Sequence, residues 1–159
     1  GSTLIMYWSQ VRILAGPPQS MQNHLKRLSF LKEKGLMKPK RILDIGAYKG
    51  EWTKMIKTLF PDSQFLMIEA NHDLENYLSK IGIPYKIELL SSENGKEVNY
   101  FKCKNYPHPT GNSIYLENTD YVFEPEKSKA ITLDSLLSSE EKFDLIKMDV
   151  QGSELDIIS

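Results

Sequence analysis

Residues 41–69 constrain the fold of this chain more than any other stretch. Arg41-Ile42-Leu43-Asp44-Ile45 is a short, mostly apolar run, and Gly46-Ala47-Tyr48-Lys49-Gly50 is a turn bounded by glycines. Residues 50–60 then place Trp52, Met55, Ile56, Leu59 and Phe60 on one helical face, Pro61 stops the helix, and Phe65-Leu66-Met67-Ile68 runs into Glu69. Two apolar runs flanking an amphipathic helix predict two parallel strands, buried on both faces and joined by a right-handed crossover. Such a unit builds half of a nucleotide pocket at the carboxyl ends of its strands, with an acid about 20 residues beyond the glycines for a ribose. Glu69 stands 69 − 50 = 19 residues past Gly50.

The flanking sequence extends the same alternation. From Ser20, Met21, Leu25, Leu28 and Leu31 recur at helical spacing and Gly35 closes the helix. Residues 3–15 have no clean period and read as a short helix or an arm, broken by Gly16-Pro17-Pro18. Asn71 or Asp73 caps a third helix bearing Leu74, Tyr77, Leu78 and Ile81, and residues 84–90 form a third strand. Asn94-Gly95 predicts a tight hairpin turn before the alternating residues 98–103. Residues 104–129, rich in Pro, Asn, Thr and Tyr, read as a long, partly ordered loop. Residues 130–133 form a short strand, 134–137 a helical turn and 143–150 a fourth core strand, and Gly152-Ser153 opens a helix. The fold expected is α/β: a Rossmann-like parallel sheet flanked by helices, with 1–38 as an N-terminal arm and helix and 39–159 as the ligand-binding domain.

Composition narrows the partners. A net charge of −1 and a pI near 6.4 supply no electrostatic footprint for nucleic acid or an anionic membrane, so neither is expected. The single Cys103 excludes an intramolecular disulfide, and three histidines among scattered acids lack metal-ligand spacing, so no metal is expected. No run of eighteen apolar residues occurs, and a reducing, cytoplasmic compartment fits best. Gly1-Ser2 without an initiator Met reads as a cloning scar, and the chain as a fragment.

The turn departs from the dinucleotide pattern G-x-G-x-x-G, because Asp44-x-Gly46-x-x-x-Gly50 begins with an acid. A carboxylate there repels a pyrophosphate and suits a ligand with positive charge near its sugar, a description that S-adenosylmethionine meets. With a third glycine also lacking, an NAD-dependent oxidoreductase is disfavoured. Gly46 lets the backbone approach the ligand, and Gly50 lets the helix start close to the strand. Ser91-Ser92, after the third strand, either border an adenine or simply lead into the Asn94-Gly95 turn. Lys147-Met148-Asp149, ending the fourth strand, puts polar groups at the sheet edge where α/β folds bind ligands. Lys147 inside an apolar strand requires an acid partner or a route to solvent. His108, between Pro107 and Pro109, and His72 lie on plausible site loops, whereas His24 sits on the N-terminal helix.

Residues 44–53, Glu69, 90–95, Thr132-Leu133-Asp134-Ser135-Leu136 and Ile146-Lys147-Met148-Asp149-Val150-Gln151-Gly152-Ser153-Glu154, taken together in this order, resemble the FkbM family of S-adenosylmethionine-dependent methyltransferases. The resemblance implies a class I methyltransferase fold that methylates hydroxyls of sugars or natural products. It places Asp44, Gly46 and Gly50 at the methionine end of the cofactor, Glu69 at the ribose, Ser91 and Ser92 at the adenine, and Asp149 facing the methyl group. Asp134 and Glu154 would support that edge. The family often has an acid in place of Ser92. The expected reaction is in-line displacement, with Asp149 as the leading base and His108 as the alternative from the loop. The class I sheet has seven strands, and this chain ends after the helix that follows the fourth. It is therefore expected to be truncated there and to pair through the exposed edge, as a homo-oligomer or with an element of the N-terminal arm. The competing reading is a non-catalytic module that binds cofactor or a partner.

Overall fold

The computed structural model describes residues 12–15, 21–103, 123–150 and 154–158. These fall into two compact units, the first within Gly1–Ile87 and Lys142–Asp149, the second within Glu88–Glu141 and Val150–Ser159.

The first unit is a parallel sheet of five strands, β1 (Arg12–Ala15), β2 (Arg41–Ile45), β3 (Gln64–Glu69), β4 (Tyr85–Ile87) and β7 (Leu145–Met148), in the spatial order β1-β7-β2-β3-β4. Helix α1 (Met21–Glu33) ends in a Schellman motif: Leu36 N–H bonds Leu31 O, Gly35 N–H bonds Lys32 O, and Gly35 has φ 68°. Helix α2 (Glu51–Leu59) is the crossover between β2 and β3, and Pro61 follows its C-cap at Phe60. The strand pleat sorts the core. Ile42 pairs with Phe65 and Leu145, and all three join Leu28, Met37, Trp52, Ile56 and Phe60 in one apolar cluster under α1 and α2. Ile42, Ile56 and Leu145 are wholly buried, at about 1.5–3 kcal/mol per such side chain. Leu43, Ile45, Leu66, Ile68 and Met148, pointing to the opposite face, are also buried, as a parallel sheet demands.

Period 2 has a second consequence. Two residues beyond Ile42, Phe65 and Leu145 stand Asp44, Met67 and Lys147, on the same face and in register. Glu69 continues that row.

The expected third helix is shorter than its spacing predicts. A 3-10 turn over His72–Leu74, capped by the Asn71 side chain on Asp73 N–H, leads into α3 (Glu75–Leu78), and Ile81 lies past its end. The third strand is three residues long rather than spanning 84–90. Residues 12–15, read as helix or arm, form a strand. It pairs in parallel with β7, Arg12 opposite Leu145 and Ala15 opposite Met148, on the edge expected to pair with another copy or with an element of the N-terminal arm; the arm supplies the strand, so the sheet does not stop at its fourth strand.

In the second unit β5 (Glu97–Cys103) pairs antiparallel with β6 (Phe123–Lys129), which lies inside the stretch read as loop. Asn94-Gly95 therefore does not close a hairpin. Gly95 N–H bonds Ala130 O, while the Asn94 side chain accepts from Thr132 N–H and donates to Ser135 Oγ, so the turn is stitched to the start of α4 (Leu133–Leu136). Leu90 makes a single parallel bridge to Ile131 in place of a strand over 130–133. Helix α5 (Glu154–Ile158) follows.

Candidate functional site

The carboxyl ends of β2, β3 and β7 meet at the glycine turn. Ile45 and Met148 are the last paired residues of their strands, Gly46 and Asp149 come next, and Asp149 N–H bonds Ile45 O at 3.0 Å. Gly46 has φ 74° and Gly50 φ 74°, the left-handed region that favours glycine. Tyr48 is also left-handed, with φ 54°, an uncommon conformation for an aromatic residue. Its neighbours hold it there: Gly46 N–H and Ala47 N–H both bond Ile68 O, Gly50 N–H bonds Ala47 O, and Tyr48 N–H bonds Glu69 Oε2 at 2.7 Å.

Glu69 is the best-built acid of the site. It is 8% exposed, and its other oxygen, Oε1, accepts Asn71 N–H at 2.9 Å. Burial raises its pKa above the usual 4.5, opposed by the amides of Asn71, Tyr48 and Ala70 and by the Lys147 charge. Tyr48 N–H and Asn71 N–H take one carboxylate oxygen each and Ala70 N–H adds a further donor, and lone-pair capacity remains for a ligand hydroxyl.

Asp44 does not do what its place in the motif suggests. It is wholly buried; Oδ1 takes the Lys147 ammonium at 2.9 Å and Oδ2 takes the Thr53 hydroxyl at 2.6 Å. Lys147 is 6% exposed and also donates to Gly46 O at 2.8 Å. This is the acid partner that a lysine within an apolar strand requires. It also removes the premise of charge selection at the turn. A carboxylate paired with an ammonium exerts little net charge on a ligand, and both Asp44 oxygens are engaged beneath the turn by Lys147 and Thr53.

Gly50 has a different constraint. A Cβ there would lie 2.2 Å from Ile81 Cδ1, 3.2 Å from Met67 Sδ and 3.4 Å from Leu78 Cδ2. The left-handed φ and this close approach to Met67, Leu78 and Ile81 together favour glycine here.

The structure thus brings Asp44, Gly46, Gly50, Glu69 and Asp149 to one sheet edge. Ser91 and Ser92 belong to the second unit, where Ser91 is buried with its N–H on Ile131 O and Ser92 is exposed. Asp134, in the first turn of α4, is exposed, and Glu154 opens α5. His108 lies outside the described residues, and His72 is exposed beside Asp73. Among the described residues no three His, Cys, Asp or Glu side chains are grouped to hold a metal ion, and no helix is long and apolar enough to cross a membrane.

Sequence reasoning missed Thr53, Tyr48 and Asn71. Thr53 had a signal: it lies three residues after Gly50, one turn into α2, where a helical side chain can reach back to the strand. His24, set aside as a helix residue, is buried and accepts the Trp52 indole N–H on Nδ1 at 3.2 Å. Burial first, then the charges of Lys147 and Arg27, hold its pKa below 6.5. A depressed histidine pKa means that the folded chain binds fewer protons than the unfolded one. This contribution to stability is therefore present above pH 6.5 and is lost as pH falls through and below it. Urea midpoints taken from pH 8 down to 5 should show His24→Leu losing less stability than the parent. Parallel profiles would show that His24 does not carry the effect.

Among solved structures, one of the plantazolicin methyltransferase BpumL in complex with SAH is 20% identical, covering 44% of this chain and 28% of that chain with a TM-score of 0.35, a likeness too slight to bear on fold or ligand. No curated protein matches the sequence. The family comparison is decisive: the model described as Methyltransferase FkbM domain matches residues 44–159, which begins at the buried acid of β2 and takes in the glycine turn, Glu69 and the β7 edge. The chain belongs to the FkbM methyltransferase family.

Proposed function

We propose that this chain binds S-adenosylmethionine at the glycine turn and Glu69 and serves methyl transfer to a hydroxyl of a sugar or natural-product acceptor. The observation that carries the reading is Glu69, a buried carboxylate aimed by backbone amides with acceptor capacity left for a ligand hydroxyl. The cofactor, when bound, supplies an electrophilic methyl carbon on sulfonium; the protein's part is to hold, orient and deprotonate. Glu69 accepts the two ribose hydroxyls. The Gly46–Tyr48 backbone forms the wall against the methionine end, with Asp44 and Lys147 behind it. Asp149, tethered through its N–H to Ile45 O beside that turn, is assigned removal of the acceptor hydroxyl's proton during or after attack.

Because burial raises the Glu69 pKa, the carboxyl takes up its proton at a higher pH than an ordinary glutamate does, and a protonated oxygen has lost one acceptor site. Affinity for S-adenosylhomocysteine should therefore fall as pH drops from 8 to 5. Glu69→Gln should weaken binding at pH 8 by about tenfold or more, the loss of a hydrogen bond to a charged group, and flatten the pH dependence. Calorimetry reads both. Unchanged affinity in Glu69→Gln would remove the ribose assignment, and saturable NAD binding without competition from S-adenosylhomocysteine would replace the cofactor. Methyl incorporation into hydroxylated glycans, measured beside binding, separates a transferase from a module that only binds.

A further inference from the structure

The two peptide units of the glycine turn are each pinned at both ends. In the unit joining Gly46 to Ala47, the N–H bonds Ile68 O and the carbonyl accepts from Lys147 Nζ at 2.8 Å. In the next unit, Ala47 O accepts Gly50 N–H and Tyr48 N–H reaches Glu69. Three of these four anchors are backbone groups or the site acid itself. The fourth is a buried ammonium that arrives from β7, 101 residues away in the chain.

We propose that Lys147 is a positioning residue for cofactor recognition: by holding the Gly46 carbonyl inward it fixes the orientation of the turn's peptides and keeps Tyr48 N–H on Glu69. This rests on the reading of the turn and Glu69 as the cofactor site. A buried ion pair as such is not needed for stability, since replacing both partners by neutral groups is often without cost, whereas a carbonyl deprived of its donor reorients or stays unsatisfied. Lysine suits the task because its ammonium has three donors, of which Asp44 and Gly46 O take two. Asp44 then serves as counter-charge, which explains an acid that offers nothing to a ligand. Thr53 holds the other oxygen of that acid, and the Trp52 ring lies 5.9 Å from the ammonium. All of these contacts belong to the first unit.

The experiment compares the parent chain, Lys147→Met, and the double variant Asp44→Asn/Lys147→Met by thermal melting, S-adenosylhomocysteine affinity and hydrogen exchange of the Tyr48 amide. Lys147→Met alone strands a buried carboxylate and should melt early. The double variant should recover most of the melting temperature, yet bind S-adenosylhomocysteine on the order of tenfold more weakly and exchange the Tyr48 amide on the order of tenfold faster, about the worth of one hydrogen bond. Parental affinity and exchange in a double variant of parental stability overturn the inference and leave the cofactor reading intact. Rapid exchange of the Tyr48 amide in the folded parent, which needs no variant to fold, overturns it as well. A parent that binds no S-adenosylhomocysteine overturns the cofactor reading and this inference together.

Discussion

Asp44→Ala is expected to cost about 3–5 kcal/mol of folding stability, the range for removing one partner of a buried ion pair. Its carboxylate is wholly buried and is paired with the buried Lys147 ammonium. With Asp44 gone, Lys147 keeps the Gly46 carbonyl and Thr53 loses its acceptor. Asp44→Asn should cost somewhat less, because an amide oxygen still accepts from one of the two donors although the buried ammonium loses its counter-charge in both variants. Urea unfolding of both variants checks this, and a loss below about 1 kcal/mol for Asp44→Ala, the range of an exposed pair, would mean that the pair is solvated in solution. A ligand-contact role for Asp44 predicts a different pattern, with full stability and lost affinity. The measurement therefore decides between a residue of the binding surface and one that supports it.

Gly50→Ala has the second large effect, about 2–4 kcal/mol, from two separable sources. A left-handed backbone costs an L-residue roughly 1–2 kcal/mol, and the new methyl overlaps the Ile81 side chain and crowds Met67 and Leu78. Gly82 isolates the first source: its φ is also 74°, but a Cβ there meets nothing within 4 Å. Gly82→Ala should therefore lose only the backbone part, and the excess in Gly50→Ala measures how tightly the start of α2 is packed. Equal losses in the two variants would show that Ile81 moves aside freely.

The parts of the fold legible in the sequence are those where a local period is also the tertiary one. Leu25, Leu28 and Leu31 marked α1; Trp52 and Ile56 marked α2; the runs at Ile42 and Phe65 marked buried parallel strands. The parts that were not legible depend on distant partners. Residues 12–15 have no period of their own and are strand because β7 presents an unpaired edge to them. Residues 123–129 carry Pro125 and four charges, a pattern that argues against a strand, and they form one by pairing with β5. Asn94-Gly95 was correctly a turn, but its type was inferred from hairpin statistics, whereas the Asn94 side chain ties it to α4. The site shows the same division. Glu69 was found by spacing, and the structure places it at the end of β3, its carboxylate held by the backbone of the turn. Asp44 was found by motif and given the role of its charge, but a charge acts only where it is not already neutralised, and its neutraliser lies 103 residues away.

That separation has a consequence for how the chain assembles. β7 is inserted between β1 and β2, so the middle of the sheet leaves the ribosome only after the other four strands described in it. The β2-α2-β3 crossover can form from nearby residues, but its outer edge and the Asp44 carboxylate must wait for Leu145–Met148, and β1 must wait with them. Long-range parallel pairing of this kind makes for slow folding and leaves an open strand edge during synthesis, when association with other chains competes. Closing the sheet and neutralising its buried acid are then one late event, because the strand that fills the gap also carries the lysine.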